Sequence, residues 1–224
     1  MRLFAARFAA RFAASFVVLL AFPILLWSQE PAPKAPAASA VRTAPAAAAV
    51  PVAPPLASFA AMRVAVVPVQ LWQADTIGWS KDATWSRLRP QLDSAITQAL
   101  RDGGLGTKWA YAPDVVRSAR RNPMYASDPS ILGVGRWRGL LPKPGDDVAP
   151  LVADNLRSIS ALGDTRHALI PVELRGVGEF VQLRVVLVDT RTRGVVWAAD
   201  LRTPAGPTML TALAGQLAAL IIEP

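Results

Sequence analysis

The sequence predicts an α/β (α+β) domain in which about four helices cover a small mixed β-sheet of about five strands. Runs of β-branched residues at 63–69 and 167–174 are typical of strands buried on both faces. Two alternating segments, 180–189 and 195–201, flank a short turn and predict a C-terminal β-hairpin. Leucines at helical spacing follow the hairpin, so a helix is expected to end the domain.

The predicted elements follow the order β-α-β-α-α-β-β-β-α. After the first strand, apolar residues recur at three- and four-residue steps and predict a helix over 88–100. The pair Gly103-Gly104 is expected to end this helix. A short strand over 107–112 and a short helix over 113–120 come next.

The second half of the domain begins with an irregular segment over 124–144, rich in glycine and proline. A helix over 148–162 follows, with one apolar stripe. Asp146 and Asp147 lie at its predicted start, where the helix dipole favours negative charge. The last helix, after the hairpin, is predicted over 210–221.

Residues 1–28 have the pattern of a secretory signal peptide. Three arginines precede an uncharged apolar segment, 13–27, which is shorter than the roughly 20 residues of a membrane-spanning helix. Leu26 is a poor residue two places before a cleavage point at Ser28. An uncleaved anchor is therefore the alternative.

Residues 29–61 are predicted to be a disordered tether rich in proline and alanine. Seven prolines in this segment oppose helix and sheet and favour extended backbone. The folded domain is accordingly predicted over 62–224.

The predicted domain carries less net positive charge than the whole chain. The formal net charge is +8, but five cations and one anion precede residue 62, which leaves 19 basic and 15 acidic residues in the domain. Such a small excess does not predict a nucleic-acid partner, which needs a concentrated basic stripe. The absence of cysteine excludes disulfides, thiol nucleophiles and lipid attachment through an N-terminal cysteine.

Catalytic and cofactor motifs are not found in the sequence. His167 is the only histidine, and it lies at the entry to a predicted buried strand with no carboxylates at metal-ligand spacing. No Gly-x-Ser-x-Gly elbow or phosphate-binding glycine loop occurs. No catalytic residue, metal or cofactor is therefore expected.

Two loops, 71–85 and 124–143, are predicted to form a partner-binding surface. Tryptophan and arginine are enriched at the energetic centres of protein interfaces, and both loops contain tryptophan. The candidate partner-binding residues are Trp72, Trp79, Arg136, Trp137 and Arg138. The alternative for Trp137 is packing within its loop, between two solvated arginines.

Three segments resemble a known superfamily: Val64-Ala-Val-Val-Pro-Val69, Ala168-Leu-Ile-Pro-Val172, and the hairpin sequence from Leu183 to Trp197. They are similar to the superfamily of the TolB amino-terminal domain, the curli secretion channel subunit and the penicillin-binding-protein activator lipoproteins. The resemblance covers Met62–Pro224 and implies an α/β domain that binds envelope proteins. The lipidated cysteine of many relatives is absent, and the turn before Gly194 has one residue more than the family pattern.

The function predicted is that of a non-catalytic, exported periplasmic module that binds or scaffolds envelope proteins. The membrane surface and the peptidoglycan machinery are further candidate partners, and the oligomeric state is left open. The alternative is an inner-membrane-anchored periplasmic protein whose Pro-rich linker presents a C-terminal interaction domain. A third hypothesis, an envelope enzyme, is disfavoured by the residue inventory.

Overall fold

A computed structural model describes residues 55–73 and 85–222. The predicted signal peptide or anchor (1–28), most of the predicted tether (29–54) and Trp79 lie outside the described residues. Among the helices that are described, none is long and apolar enough to cross a membrane.

The described residues form five α-helices and one mixed sheet of five strands, which confirms the predicted fold class. The helices are α1 (Ala57–Ala60), α2 (Trp85–Leu100), α3 (Ala112–Arg121), α4 (Pro150–Leu162) and α5 (Met209–Ala219). The strands are β1 (Val64–Val66), β2 (Leu71–Gln73), β3 (His167–Val177), β4 (Phe180–Asp189) and β5 (Gly194–Pro204). The predicted hairpin is β4–β5, and the predicted last helix is α5.

Strand β3 organises the sheet. Both β1 and β2 pair with one edge of β3 in parallel, and β4 pairs antiparallel with β3 and with β5. Between β1 and β2, the Val67 N–H donates to the Leu169 carbonyl (3.0 Å) and the Gln70 N–H to the Pro171 carbonyl (3.0 Å). The predicted first strand is thus divided at Pro68, because proline has no N–H to continue the ladder.

The prediction of a strand over 107–112 is wrong. A single bridge joins Ala110 to β1, in which the Val66 N–H donates to the Ala110 carbonyl (2.7 Å) and the Ala110 N–H to the Val64 carbonyl (2.9 Å). Helix α3 begins at Ala112, so the extended segment is too short to form a ladder.

The predicted position of two aspartates at the start of α4 is also wrong. Helix α4 begins at Pro150. The Asp146 carboxylate accepts a hydrogen bond from the Lys143 N–H (2.7 Å), and Asp147 forms an isolated bridge with Gly194. Both residues therefore tie the preceding loop to itself and to β5, and the helix dipole does not explain them.

Each face of the sheet packs its own apolar cluster, which explains why nearly all of β4 is buried. The first face contacts α2 and α5, through residues that include Leu92, Ile96, Leu183, Leu213 and Leu217. The second face contacts α3, α4 and the 126–137 segment, through residues that include Val115, Leu132, Trp137, Leu156 and Val186. Alternate residues of β4 serve the two clusters.

The folded part begins before residue 62, so the tether prediction is wrong for 56–60. Leu56 is only 2% exposed, and its N–H donates to the Leu220 carbonyl (2.8 Å). The Phe59 ring meets the His167 ring edge-on, with centroids 5.0 Å apart. Helix α1 is held by these tertiary contacts, since a single turn is not stable by itself.

Candidate functional site

The indole of Trp137 is part of the core. It ends a short 3₁₀ turn, Val134–Trp137, and is 5% exposed in the cluster on the second sheet face. This position agrees with the alternative in which Trp137 packs within its loop. Arg136 and Arg138 on either side of it are exposed to solvent.

The described atoms do not show whether the predicted residues of the 71–85 loop lie near this turn. Trp72 lies in β2, with its backbone described and its side chain outside the described atoms, and Trp79 lies outside altogether. A partner-binding role for these two residues stays a prediction.

Arg184, on β4, fixes the 3₁₀ turn to the sheet. Its side chain is buried, and its Nε and Nη2 donate to the Asp200 carboxylate at 2.8 and 2.9 Å. Its Nη1 donates to the backbone carbonyls of Trp137 (2.6 Å) and Arg138 (3.1 Å). A bidentate guanidinium–carboxylate pair with two further bonds is strong and directional, so the turn is held in one position over the strands.

Glu173, the neighbour of Arg184 on β3, is a buried carboxyl group beneath the same turn. Within the described residues neither of its oxygens has a hydrogen-bond partner, and the Arg138 Nε lies 3.8 Å from Oε1. Burial raises the pKa of Glu173, and the guanidinium groups of Arg175 and Arg138 oppose that rise. The Arg138 side chain is therefore attracted toward the sheet while half of it stays exposed.

Exposed apolar side chains are concentrated in the sequence segment that contains this turn. Of the eight large hydrophobic residues exposed in the described part of the chain, five lie within 124–151, with exposed fractions from 67% to 90%. They are Met124, Tyr125, Ile131, Leu140 and Leu151. The exposed cations of this segment and of the end of α3 just before it are Arg120, Arg121, Arg136, Arg138 and Lys143. We call these ten residues the loop surface.

His167 lies at the other end of β3. Its Nδ1 has no hydrogen-bond partner among the described residues, and its Nε2 is 3.9 Å from Asp189 Oδ2. Burial lowers the pKa of His167. Burial also opposes ionisation of Asp189, but hydrogen bonds from Arg166 and from the Arg191 N–H keep its pKa below the ordinary value. Among the residues described, no group of three or more histidines and carboxylates converges on a metal position.

Sequence reasoning missed the exposed apolar residues of the loop surface and one acidic residue, Asp93. Glycine and proline marked 124–144 as irregular, but irregular chain gives no period from which exposure can be read. Asp93 occupies the polar face of α2, where an aspartate is ordinary. Only the fold shows that the Val69 N–H donates to its Oδ1 at 2.9 Å.

The described fold is similar to several solved structures at low identity. A PelC dodecamer from Paraburkholderia phytofirmans gives 18% identity and a TM-score of 0.39, over 77% of this chain and 96% of that chain. The LpoB C-terminal domain from Salmonella enterica gives 11% and 0.38, over 69% and 86%. The lipoprotein GNA1162 from Neisseria meningitidis gives 15% and 0.37, over 70% and 96%.

No family model and no curated protein sequence matches the chain. Identity and TM-score are too low for any of the structural likenesses to assign a family or a function. The superfamily resemblance drawn from the residues stays a prediction.

Proposed function

We propose that this chain is a non-catalytic, exported module of the cell envelope that binds a partner protein through the loop surface. The supporting observation is the concentration of exposed apolar side chains within 124–151, where most of the exposed large hydrophobics of the described residues lie. Contiguous exposed apolar patches on a soluble domain mark interaction sites, and we place such a patch in this segment.

The charge and rigidity of the loop surface support a protein partner. Arginine is enriched and lysine depleted in protein interfaces, and four of the five cations here are arginines. The Arg184 bonds to the carbonyls of Trp137 and Arg138 fix the backbone before binding. A fixed surface loses less conformational entropy on association than a mobile loop.

The best positions for a test are exposed residues, because Trp137 is part of the core. A photo-crosslinking amino acid is placed at Tyr125 or Leu140 of the full chain in the bacterium, with Thr211, an exposed residue of α5, as the matched control. We expect a discrete crosslinked protein from Tyr125 and Leu140, and none of that mass from Thr211.

A second variant separates binding from folding. Tyr125→Ser combined with Leu140→Ser should leave the unfolding midpoint nearly unchanged, since both side chains are exposed. The same variant should abolish recovery of the crosslinked protein from a site at Ile131. Undiminished recovery, or equal crosslinking at Thr211, would reject the loop surface as the binding site.

A further inference from the structure

A second concave site lies between α2 and α3, and it is distinct from the loop surface. Its volume is about 460 Å³, within the roughly 300–1,000 Å³ typical of small-molecule sites. Pro90, Pro113 and Val116 contribute apolar walls. The charged side chains of the groove are Arg89, Asp93 and Arg101, all from α2 or the turn that follows it.

Asp93 is the acidic group of this groove. Its Oδ1 accepts a hydrogen bond from the Val69 N–H at 2.9 Å, which orients the carboxylate. Burial raises its pKa from the ordinary value of 3.8 to about 6, against the opposing effects of the Val69 bond and Arg89. The fold therefore holds a carboxylate that its own cations stabilise poorly, and an ammonium group placed in the groove would supply the missing charge.

Arg101 is the cation at the far end of the groove. Its guanidinium lies over the Tyr111 ring, 4.8 Å from the centroid, and 3.6 Å from an Asp114 oxygen. An ion pair of that length between half-exposed side chains is weak, so the guanidinium is free to meet another carboxylate. Arg89, in contrast, already donates to the Ser130 carbonyl (3.3 Å).

The distance between these two groups limits the length of a ligand. Asp93 and Arg101 are eight residues apart, which corresponds to about 12 Å along a helix. An extended peptide spans about 3.3–3.6 Å per residue, so three or four residues connect the two positions. A free amino acid, which contributes one such unit, is shorter than this rise along the helix.

We propose that this groove binds a short zwitterionic peptide of three or four residues, with its N-terminal ammonium on Asp93 and its C-terminal carboxylate on Arg101. The apolar walls contact small side chains of the peptide, and the two terminal charges give it one direction along α2. This site is independent of the partner protein at the loop surface.

The probes are tetra-alanine with free termini, the same peptide acetylated at its N-terminus, and the same peptide amidated at its C-terminus. Each is titrated into the purified full chain at pH 7.5 and followed by calorimetry. We expect saturable binding of free tetra-alanine, and each cap should weaken the affinity roughly tenfold or more, because each removes a charged hydrogen-bonding group.

Two variants assign the two ends of the peptide. Asp93→Asn keeps an oxygen acceptor for the Val69 N–H and removes the charge, so free and acetylated peptide should bind it equally. Arg101→Gln should instead bind free and amidated peptide equally. Glu179→Gln, which changes an exposed carboxylate in the turn between β3 and β4, outside the groove lining, is the matched control and should behave as the wild type.

Three results would overturn the proposal. These are equal binding of capped and free peptides by the wild type, a retained preference for the free N-terminus in Asp93→Asn, and no saturable binding up to millimolar peptide. Thermal unfolding of each variant without peptide shows whether it is folded. The loop-surface variant Tyr125→Ser/Leu140→Ser should bind the peptides normally, so failure of one proposal is distinguishable from failure of the other.

Discussion

The half-buried carboxyl group of Asp93 is expected to lower the stability of the fold at neutral pH, and its replacement measures by how much. The pKa of Asp93 is raised from 3.8 to about 6 in the folded chain. The folded state therefore binds this proton more tightly than the unfolded state does. The stabilising effect of the bound proton is complete below about pH 4 and is lost as the pH rises through about 6.

The magnitude follows from the size of that shift. About two pKa units at about 1.36 kcal/mol per unit give about 3 kcal/mol at pH 7.5. Asparagine resembles the protonated carboxyl group and keeps an acceptor for the Val69 N–H. Asp93→Asn should therefore raise the free energy of unfolding by about 3 kcal/mol at pH 7.5 and by only about 1 kcal/mol at pH 4.5.

Urea denaturation of wild type and variant at both pH values is the assay, with Asp102→Asn as control. Asp102 is exposed, so its replacement should change the free energy of unfolding by less than about 0.5 kcal/mol at either pH. A destabilised Asp93→Asn, or a difference from wild type that is the same at both pH values, would refute the reasoning that burial strains this carboxylate.

Three further replacements and one control, Arg136→Ala, test the fold by urea denaturation. Leu56→Ala should lower the free energy of unfolding by about 2–5 kcal/mol because Leu56 is buried. An unchanged free energy of unfolding would show that Leu56 belongs to the tether. Trp137→Ala should lower the free energy of unfolding by about 3–5 kcal/mol, while Arg136→Ala should change it by less than about 0.5 kcal/mol. Equal changes in the two variants would contradict the burial of the indole. Arg184→Met should cost about 3–5 kcal/mol, because it leaves the Asp200 carboxylate and two backbone carbonyls without their donor. A neutral Arg184→Met would show that the guanidinium does not hold the turn.

Local periodicity was enough to predict the hairpin and the later helices. The alternation over 180–201 and the apolar stripe over 148–162 are long, and each places its side chains on faces that the fold then buries. The turn between β3 and β4 contains Gly178, which adopts a φ of 61° that other residues avoid. These features depend on neighbours in sequence, so they are visible without the fold.

The errors fall where tertiary contacts decide the structure. The 107–112 segment has strand-like composition, but one bridge to β1 is all that the start of α3 allows. Residues 57–60 were assigned to the tether because nothing in their sequence indicates the contact between Phe59 and His167. Charge counting likewise gave no sign that Arg184 is buried, because its partners are 16 and 47 positions away.

The environment of Asp93 argues for a ligand on physical grounds. A small domain has about 5–15 kcal/mol of net stability, so the predicted loss of about 3 kcal/mol at neutral pH would be a large part of it. The hydrogen bond from the Val69 N–H does not require a carboxylate, because asparagine would accept the same bond. Destabilising groups of this kind are found where binding or catalysis needs them.

An ammonium bound to Asp93 would lower its pKa and return part of the lost stability. Free tetra-alanine should therefore raise the unfolding temperature of the wild type more at pH 7.5 than at pH 4.5, where the site is protonated. The acetylated peptide should show no such dependence on pH, and an equal shift from both peptides at pH 7.5 would exclude a charge-based role for this carboxylate.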